Sequence, residues 1–452
     1  MTTTKNNEYK KLNFSNEQEQ SQACLNSAEH EKNQGRKVLN VPNKREQNQT
    51  CLDPAEREGL RPKGNVPNLR FPEFQGEWEE HYLSDYLDFK NGLNPKPDKF
   101  GRGIKFISVM DILNNTVITN DCIRVSVDVS EEELHNFCVE NGDMLFQRSS
   151  ETLEDVGRAN VYMDDKPAVF GGFVIRGKKK AEYNPLFFRY LLASPFARRK
   201  IIPMGAGAQH FNIGQEGLNR VKLHFASLDE QKKIATFLSL LDERIATQNK
   251  IIEDLKKLKS AIIEKLYKGI QGTWYSYRQL FSIINERNKQ LEYSNVLSAS
   301  QERGMVSRED LNLDIHFERS NISTYKIVKN GDYVIHLRSF QGGFAFSEKT
   351  GICSPAYTVL RPNNLLVYGY LSNYFTSRDF VKSLIIVTYG IRDGRSINVD
   401  EWFDMKVVIP SKEQQTHIVN VIESIENKIK NEETYSNCLL NQKQYLLRQM
   451  FI

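Results

Sequence analysis

Two stretches of this chain are near copies of each other. "SLDEQKKIATFLSLLDERI" runs from Ser227 to Ile245 and "SKEQQTHIVNVIESIENKI" from Ser411 to Ile429, 184 positions apart. A chain that repeats a helix-sized segment late in each half is restricted to duplicated architectures. Both copies open on a hydroxyl with Glu or Gln three residues on, Ser227 with Glu230 and Ser411 with Gln414. That is the capping-box pattern, in which the hydroxyl satisfies an orphan N–H and the longer side chain reaches back. After Ser227, the positions Leu238, Leu241, Ile245, Gln248, Ile252, Leu255, Lys259, Ile262 and Leu266 alternate steps of three and four before Gly269. The second copy gives Ile422, Ile425, Ile429, Glu432, Ser436, Leu439, Lys443, Leu446 and Met450. Steps of this size draw one stripe along a helix at the coiled-coil period, so the spacing predicts two long helices packed on each other.

The repeat extends upstream. "GEW" (Gly76 to Trp78) answers "GTW" (Gly272 to Trp274), and "VENGDMLF" from Val139 matches "VKNGDYVI" from Val328. "AVFGGFVIR" ending at Arg176 corresponds to "CSPAYTVLR" ending at Arg361, and "FNI" at Phe211 to "INV" at Ile397. "RVKLHFAS" from Arg220 aligns with "DMKVVIPS" from Asp404. Short β-like runs mix with helical ones in each half without regular βαβ alternation, which predicts an α+β class. The expected order is a polar extension over 1–66, a globular module over 67–226, a long helix over 227–270, a second module over 271–410 and a second long helix over 411–452. The extension is too poor in apolar residues to offset its ordering entropy and is predicted to be disordered.

Composition excludes more than it selects. A net charge of +4 permits a nucleic-acid partner without requiring one. Cys24, Cys51, Cys122, Cys138, Cys353 and Cys438 form no CxxC pair and no metal-ligand spacing with the eight histidines, so reduced thiols in a cytoplasmic chain are expected. No run approaches the ~18 apolar residues of a membrane helix. There is no P-loop and no HExxH. "GAGAQH" (Gly205 to His210) lacks the third glycine of a dinucleotide loop. No catalytic residue, metal site or cofactor is expected on this chain.

The modules do carry polar, basic loops at matched places. "FQRSSETLEDVGR" offers Gln147, Arg148, Ser149 and Arg158, and its counterpart "HLRSFQGGF" offers Arg338, Ser339 and Gln341. "GAGAQHFN" brings Gln209 and His210, answered by Arg392 and Arg395 of "YGIRDGRSIN". Arg and Gln make bidentate bonds to guanine and adenine edges in the major groove. The clusters "GKKK" (Gly177 to Lys180) and "ARRK" (Ala197 to Lys200) suit phosphates, which position without specifying. Taken singly, each of these residues also fits a solvated loop.

With its duplicated helix starts, "NVPNLRFPEFQGEWEE", "NGDMLFQRSSETLEDVG", "AVFGGFVIRGK", "VIHLRSFQGGF" and "SPAYTVLRP", the chain resembles the specificity subunits of type I restriction–modification systems over residues 65 to 452. The extension before Asn65 is longer than the resemblance leads one to expect. The resemblance implies a non-catalytic subunit whose modules each read one half of a bipartite, asymmetric site on double-stranded DNA. It implies an antiparallel coiled coil, here Leu241, Ile245, Ile252, Leu255, Ile262, Ile425, Ile429, Leu439 and Leu446, that spaces the modules and docks two methyltransferase subunits. Restriction/translocase subunits complete the assembly, and S-adenosylmethionine, ATP and Mg2+ belong to the partners. The alternatives are a scaffold joining two protein-binding domains through the coil, and a self-sufficient nuclease or methyltransferase.

Overall fold

A computed structural model describes residues 64–207, 209–300, 303–308, 319–336, 343–389 and 396–452. The polar extension lies outside them except for its last three residues. The first module contains β1 (Glu79–Tyr82), β2 (Leu87–Asn91), β3 (Met144–Gln147), β4 (Ser149–Ser150), β5 (Ala159–Val161), β6 (Val174–Lys179), the helices α1 (Pro185–Ala193) and α2 (Pro195–Ile201), β7 (Phe211–Asn212) and β8 (Lys222–Phe225). The long helix α3 (Leu228–Tyr267) follows. The second module repeats the frame with β9 (Thr273–Ser276), β10 (Phe281–Ile284), β11 (Tyr333–Ile335), β12 (Phe344–Phe346), β13 (Thr358–Pro362) and β14 (Lys406–Ile409), before α4 (Lys412–Gln449).

Each module is built on a four-stranded antiparallel sheet, ordered β2-β6-β3-β5 in the first and β10-β13-β11-β12 in the second. A separate pair precedes each long helix, β1 with β8 and β9 with β14. The class is α+β, as the mixed strand and helix patterns predict. The first module adds a three-stranded sheet of Phe100–Ile107, Ser126–Val127 and Ala168–Phe170.

Strand register refines the repeat. Glu79 lies opposite Phe225 and Thr273 opposite Ile409. Phe225 and Ile409 hold the same place before the two helix starts, so Trp274 stands where Glu80 does and not where Trp78 does. The two tryptophans behave accordingly. Trp78 is 2% exposed and packs on Phe187 and Phe451, whereas Trp274 is 65% exposed. The same two-residue slip occurs in the sheet: Met144 faces Gly177 and Tyr333 faces Leu360, so Arg361 matches Lys178 rather than Arg176. A shift of two keeps each side chain on its face, which is why motif matching alone misses it.

The helices run antiparallel. Asp242 pairs with Lys443 at 2.5 Å and Lys259 with Glu426 at 2.6 Å. These two bridges are copies, because each residue of one is the 184-shifted counterpart of a residue in the other. Between them Gln248 Nε2 donates to the carbonyl of Glu432 at 3.1 Å, and Ser436 Oγ donates to Asn249 at 2.9 Å. Gln248 and Glu432 are themselves equivalent positions, so the pseudo-two-fold of the duplication passes through this polar layer.

Along the predicted seam, Ile245, Ile252, Ile429, Leu439 and Leu446 are buried, while Leu241, Leu255, Ile262 and Ile425 are half-buried. Near the end of α3, Ile263 replaces Ile262 as the inward residue, because the second module covers the helix there. Leu238, Leu446 and Met450 close the core of the first module, and Ile263, Ile418 and Ile422 close that of the second.

The helix starts differ from a full capping box. Ser227 Oγ accepts the Glu230 N–H at 3.4 Å and Ser411 Oγ that of Gln414 at 3.3 Å. The Glu230 carboxylate does not return to the cap. It lies buried in a fork-to-fork pair with Arg70, both contacts 2.7 Å. The next residue in each repeat, Gln231 or Gln415, clips the helix to its module. Gln231 accepts the Asn184 N–H and donates to the Ala226 carbonyl, both at 2.9 Å. Gln415 accepts the Val367 N–H at 2.8 Å and donates to the Leu365 and Pro410 carbonyls at 3.0 Å. Gln231→Leu strips partners from a buried N–H and carbonyl and is expected to cost about 1–3 kcal/mol. Gln415→Leu should cost a similar amount. Being remote from each other, the two should add within about 0.5 kcal/mol in denaturant unfolding, provided unfolding stays two-state.

Candidate nucleic-acid interface

The distant loops "FQRSSETLEDVGR" and "GAGAQHFN" meet in the fold. Leaving the sheet at Gln147, the chain forms β4, which pairs antiparallel with β7: Ser149 opposite Asn212 and Ser150 opposite Phe211. The Arg148 carbonyl accepts the Ile213 N–H at 2.9 Å, and Ser149 Oγ donates to Asn212 Oδ1. Reciprocal backbone bonds of 2.9 Å between Ala206 and Asn212 close the second loop, leaving Gln209 and His210 exposed at its tip. Gly207 is required here. Its φ is +147°, and a Cβ would stand 1.9 Å from the His210 carbonyl. Gly207 of "GAGAQH" therefore serves a tight turn.

The candidate side chains are not equivalent. Gln147 is buried, with Nε2 donating to the Ser149 carbonyl at 3.0 Å, so its amide faces the loop interior and not solvent. Arg148 is half-buried and commits one N–H to the Gly172 carbonyl at 3.1 Å. A guanidinium carries five donors, so most of its fork is left for another acceptor. Ser149 is half-buried, and Arg158 pairs with Asp155 at 2.7 Å.

The basic clusters divide in the same way. Within "ARRK", Arg199 and Lys200 are exposed, but Arg198 turns inward and donates from one nitrogen to the carbonyls of Glu154 and Val156, both at 2.7 Å. Burial, and then the neighbouring Arg158, push its pKa down to about 10, so it remains charged at neutral pH. Within "GKKK", Lys178 is paired with Glu140 and Lys179 with Glu182, leaving Lys180 exposed. Arg198 is a positioning residue that the sequence presented as a phosphate contact. Its only sequence signal is its place in the last turn of a short helix, between the buried Ala197 and Ile201.

In the second module, Arg338, Ser339, Gln341, Arg392 and Arg395 lie outside the described residues. Their flanks are ordered by pairing. The His336 N–H donates to the Gly343 carbonyl at 2.7 Å, and Thr388–Tyr389 pairs with Ser396–Ile397.

Beside two α+β modules on an antiparallel helix pair, residues 75–257 match the family described as type I restriction modification DNA specificity domain. The chain resembles the specificity subunits of type I restriction–modification systems. It is 23% identical over 81% of its length to a Methanocaldococcus jannaschii protein provisionally described as the type I restriction enzyme MjaX specificity subunit, covering 90% of that protein. A second match, 23% identical, is to the EcoKI specificity subunit of Escherichia coli, but spans only 42% of each chain. Among solved structures, a chain from a type I R-M system described for its complex assembly and conformational transition shares the fold. It has a TM-score of 0.55 at 14% identity and covers 82% of this chain and 96% of its own. No helix among the described residues is long and apolar enough to cross a membrane.

Arg198→Met removes the donor from two carbonyls that hold the 151–158 loop. Hydrogen exchange at Gly157 and Arg158 is expected to speed up about tenfold or more, while the midpoint of the helix pair stays unchanged. Equal acceleration at both places would mean global destabilisation instead.

Proposed function

We propose that this chain is the DNA-recognition subunit of a type I restriction–modification complex. Each module reads one half of a bipartite, asymmetric site, and partner subunits carry out adenine methylation or ATP-dependent cleavage. The observation that carries this reading is the duplicated frame itself. One pseudo-two-fold through Gln248 and Glu432 relates two modules whose framework repeats and whose loops do not. Helices of 40 and 38 residues, at 1.5 Å per residue, are about 60 Å long. One turn of B-DNA is about 34 Å, so modules held at the ends of such a rod suit two half-sites with unread base pairs between.

Loops that differ between modules imply half-sites that differ. Arg148, Ser149, Gln209 and His210 would serve one half, and Arg338, Ser339, Gln341, Arg392 and Arg395 the other. The coil surface would dock two methyltransferase subunits, with the restriction/translocase subunits joining through them. S-adenosylmethionine, ATP and Mg2+ would be handled there, since nothing in this reading asks this chain for chemistry.

Sequencing of methylated adenines in cells that hold the modification partner, with and without this chain, tests the assignment. One gapped, asymmetric motif that depends on the chain is expected. An unchanged adenine pattern beside an active partner would favour the scaffold reading. Arg148→Ala should relax base choice in one half of the motif, losing about 1–3 kcal/mol of discrimination. Arg338→Ala should relax only the other half. Equal loss in both halves would contradict the division of labour.

A further inference from the structure

Phe173 is 68% exposed, although Phe170 and Val174 on either side of its turn are fully buried. The ring is not on a loose loop. The Leu93 N–H donates to the Phe170 carbonyl, the Gly171 N–H to Ile107, the Val174 N–H to Gly171 and the Arg148 N–H to Phe173, all between 2.8 and 3.0 Å. Gly172 packs closely on Asn94, whose Oδ1 would lie 2.0 Å from a Cβ there. The fold thus pins the backbone that carries Phe173 while its phenyl ring stands in water, and nothing in the packing of the module calls for it.

Its neighbour indicates a purpose. Gln147 lies opposite Val174 in the sheet, and the Arg148 N–H to Phe173 carbonyl bond of 2.9 Å continues that ladder by one pair. Cross-strand partners project from the same face with Cβ atoms about 5 Å apart. Arg148 and Phe173 therefore leave the sheet together, beside the paired loops that carry Ser149, Gln209 and His210. Successive bases along one strand are about 3.4 Å apart, so two such side chains reach neighbouring base pairs in one groove. An arginine fork in the major groove bonds guanine O6 and N7, and the apolar feature that groove offers a phenyl ring is the thymine methyl.

Resting on the function proposed above, we propose that Phe173 is a specificity-determining residue that contacts a thymine 5-methyl group, next to the base pair read by Arg148. Burying one methyl group is worth about fourfold in affinity. The test is selection of sites by the full chain from two random duplex pools, one with thymidine and one with deoxyuridine throughout. The wild type should enrich thymine about fourfold at one position in the first pool and lose that preference in the second. Phe173→Ala should enrich the remaining bases of the site normally but show no preference at that position in either pool. Phe173→Leu, which keeps an apolar surface, should retain part of it. If Phe173→Ala selects the same thymine as the wild type, the inference is wrong although DNA reading stands. If the wild type enriches no sequence in either pool, the DNA-reading assignment fails, and this inference with it.

Discussion

The antiparallel contact between the two long helices is the interaction on which the rest of the molecule depends. Neither module has a complete core without it. Leu238 from α3 joins Leu446 of α4 and Met450 just beyond it under the first module, and Ile263 joins Ile418 and Ile422 under the second. A purely apolar seam would tolerate sliding by a heptad. Here the Gln248–Glu432 layer and the flanking Asp242–Lys443 and Lys259–Glu426 bridges oppose it, because any slip leaves buried polar groups without partners. Such groups add little net stability, and their effect is to fix register. Register in turn fixes where the modules sit.

Asp242 also ties the rod to a module. Besides Lys443, it pairs with Arg189 at 3.2 Å and accepts the Tyr190 hydroxyl at 2.9 Å, both from α1. Burial, with Asp242 beside it, raises the Tyr190 phenol well above its ordinary range, so it stays a donor across the physiological range. Helix and module are thereby joined through buried hydrogen-bonded charge as well as apolar packing.

The frame was legible in the sequence because framework chemistry recurs at fixed separation. The helix starts, the heptad stripe and the order of strands survive in residues whose type is dictated by burial or capping. Where the sequence misled, a local pattern had a second physical solution. Glu230 satisfies the capping-box spacing but is claimed by Arg70, which no local rule brings near it. Trp78 and Trp274 share a motif and differ by two positions in strand register. The loops were legible only in composition. That Ser149 pairs with Asn212 follows from strand pairing across some sixty residues, and that Gln147 faces inward and Arg198 is a clamp follows from how the loop folds back on itself and on α2.

Trp78 rests on Phe451, and the Leu69 N–H donates to the Gln449 carbonyl at 2.9 Å. The earliest described part of the first module is thus completed by the last residues of the chain. During synthesis, the second module can assemble around the end of α3 while the first still lacks Leu446, Met450 and Phe451. The module made first is thus the one finished last.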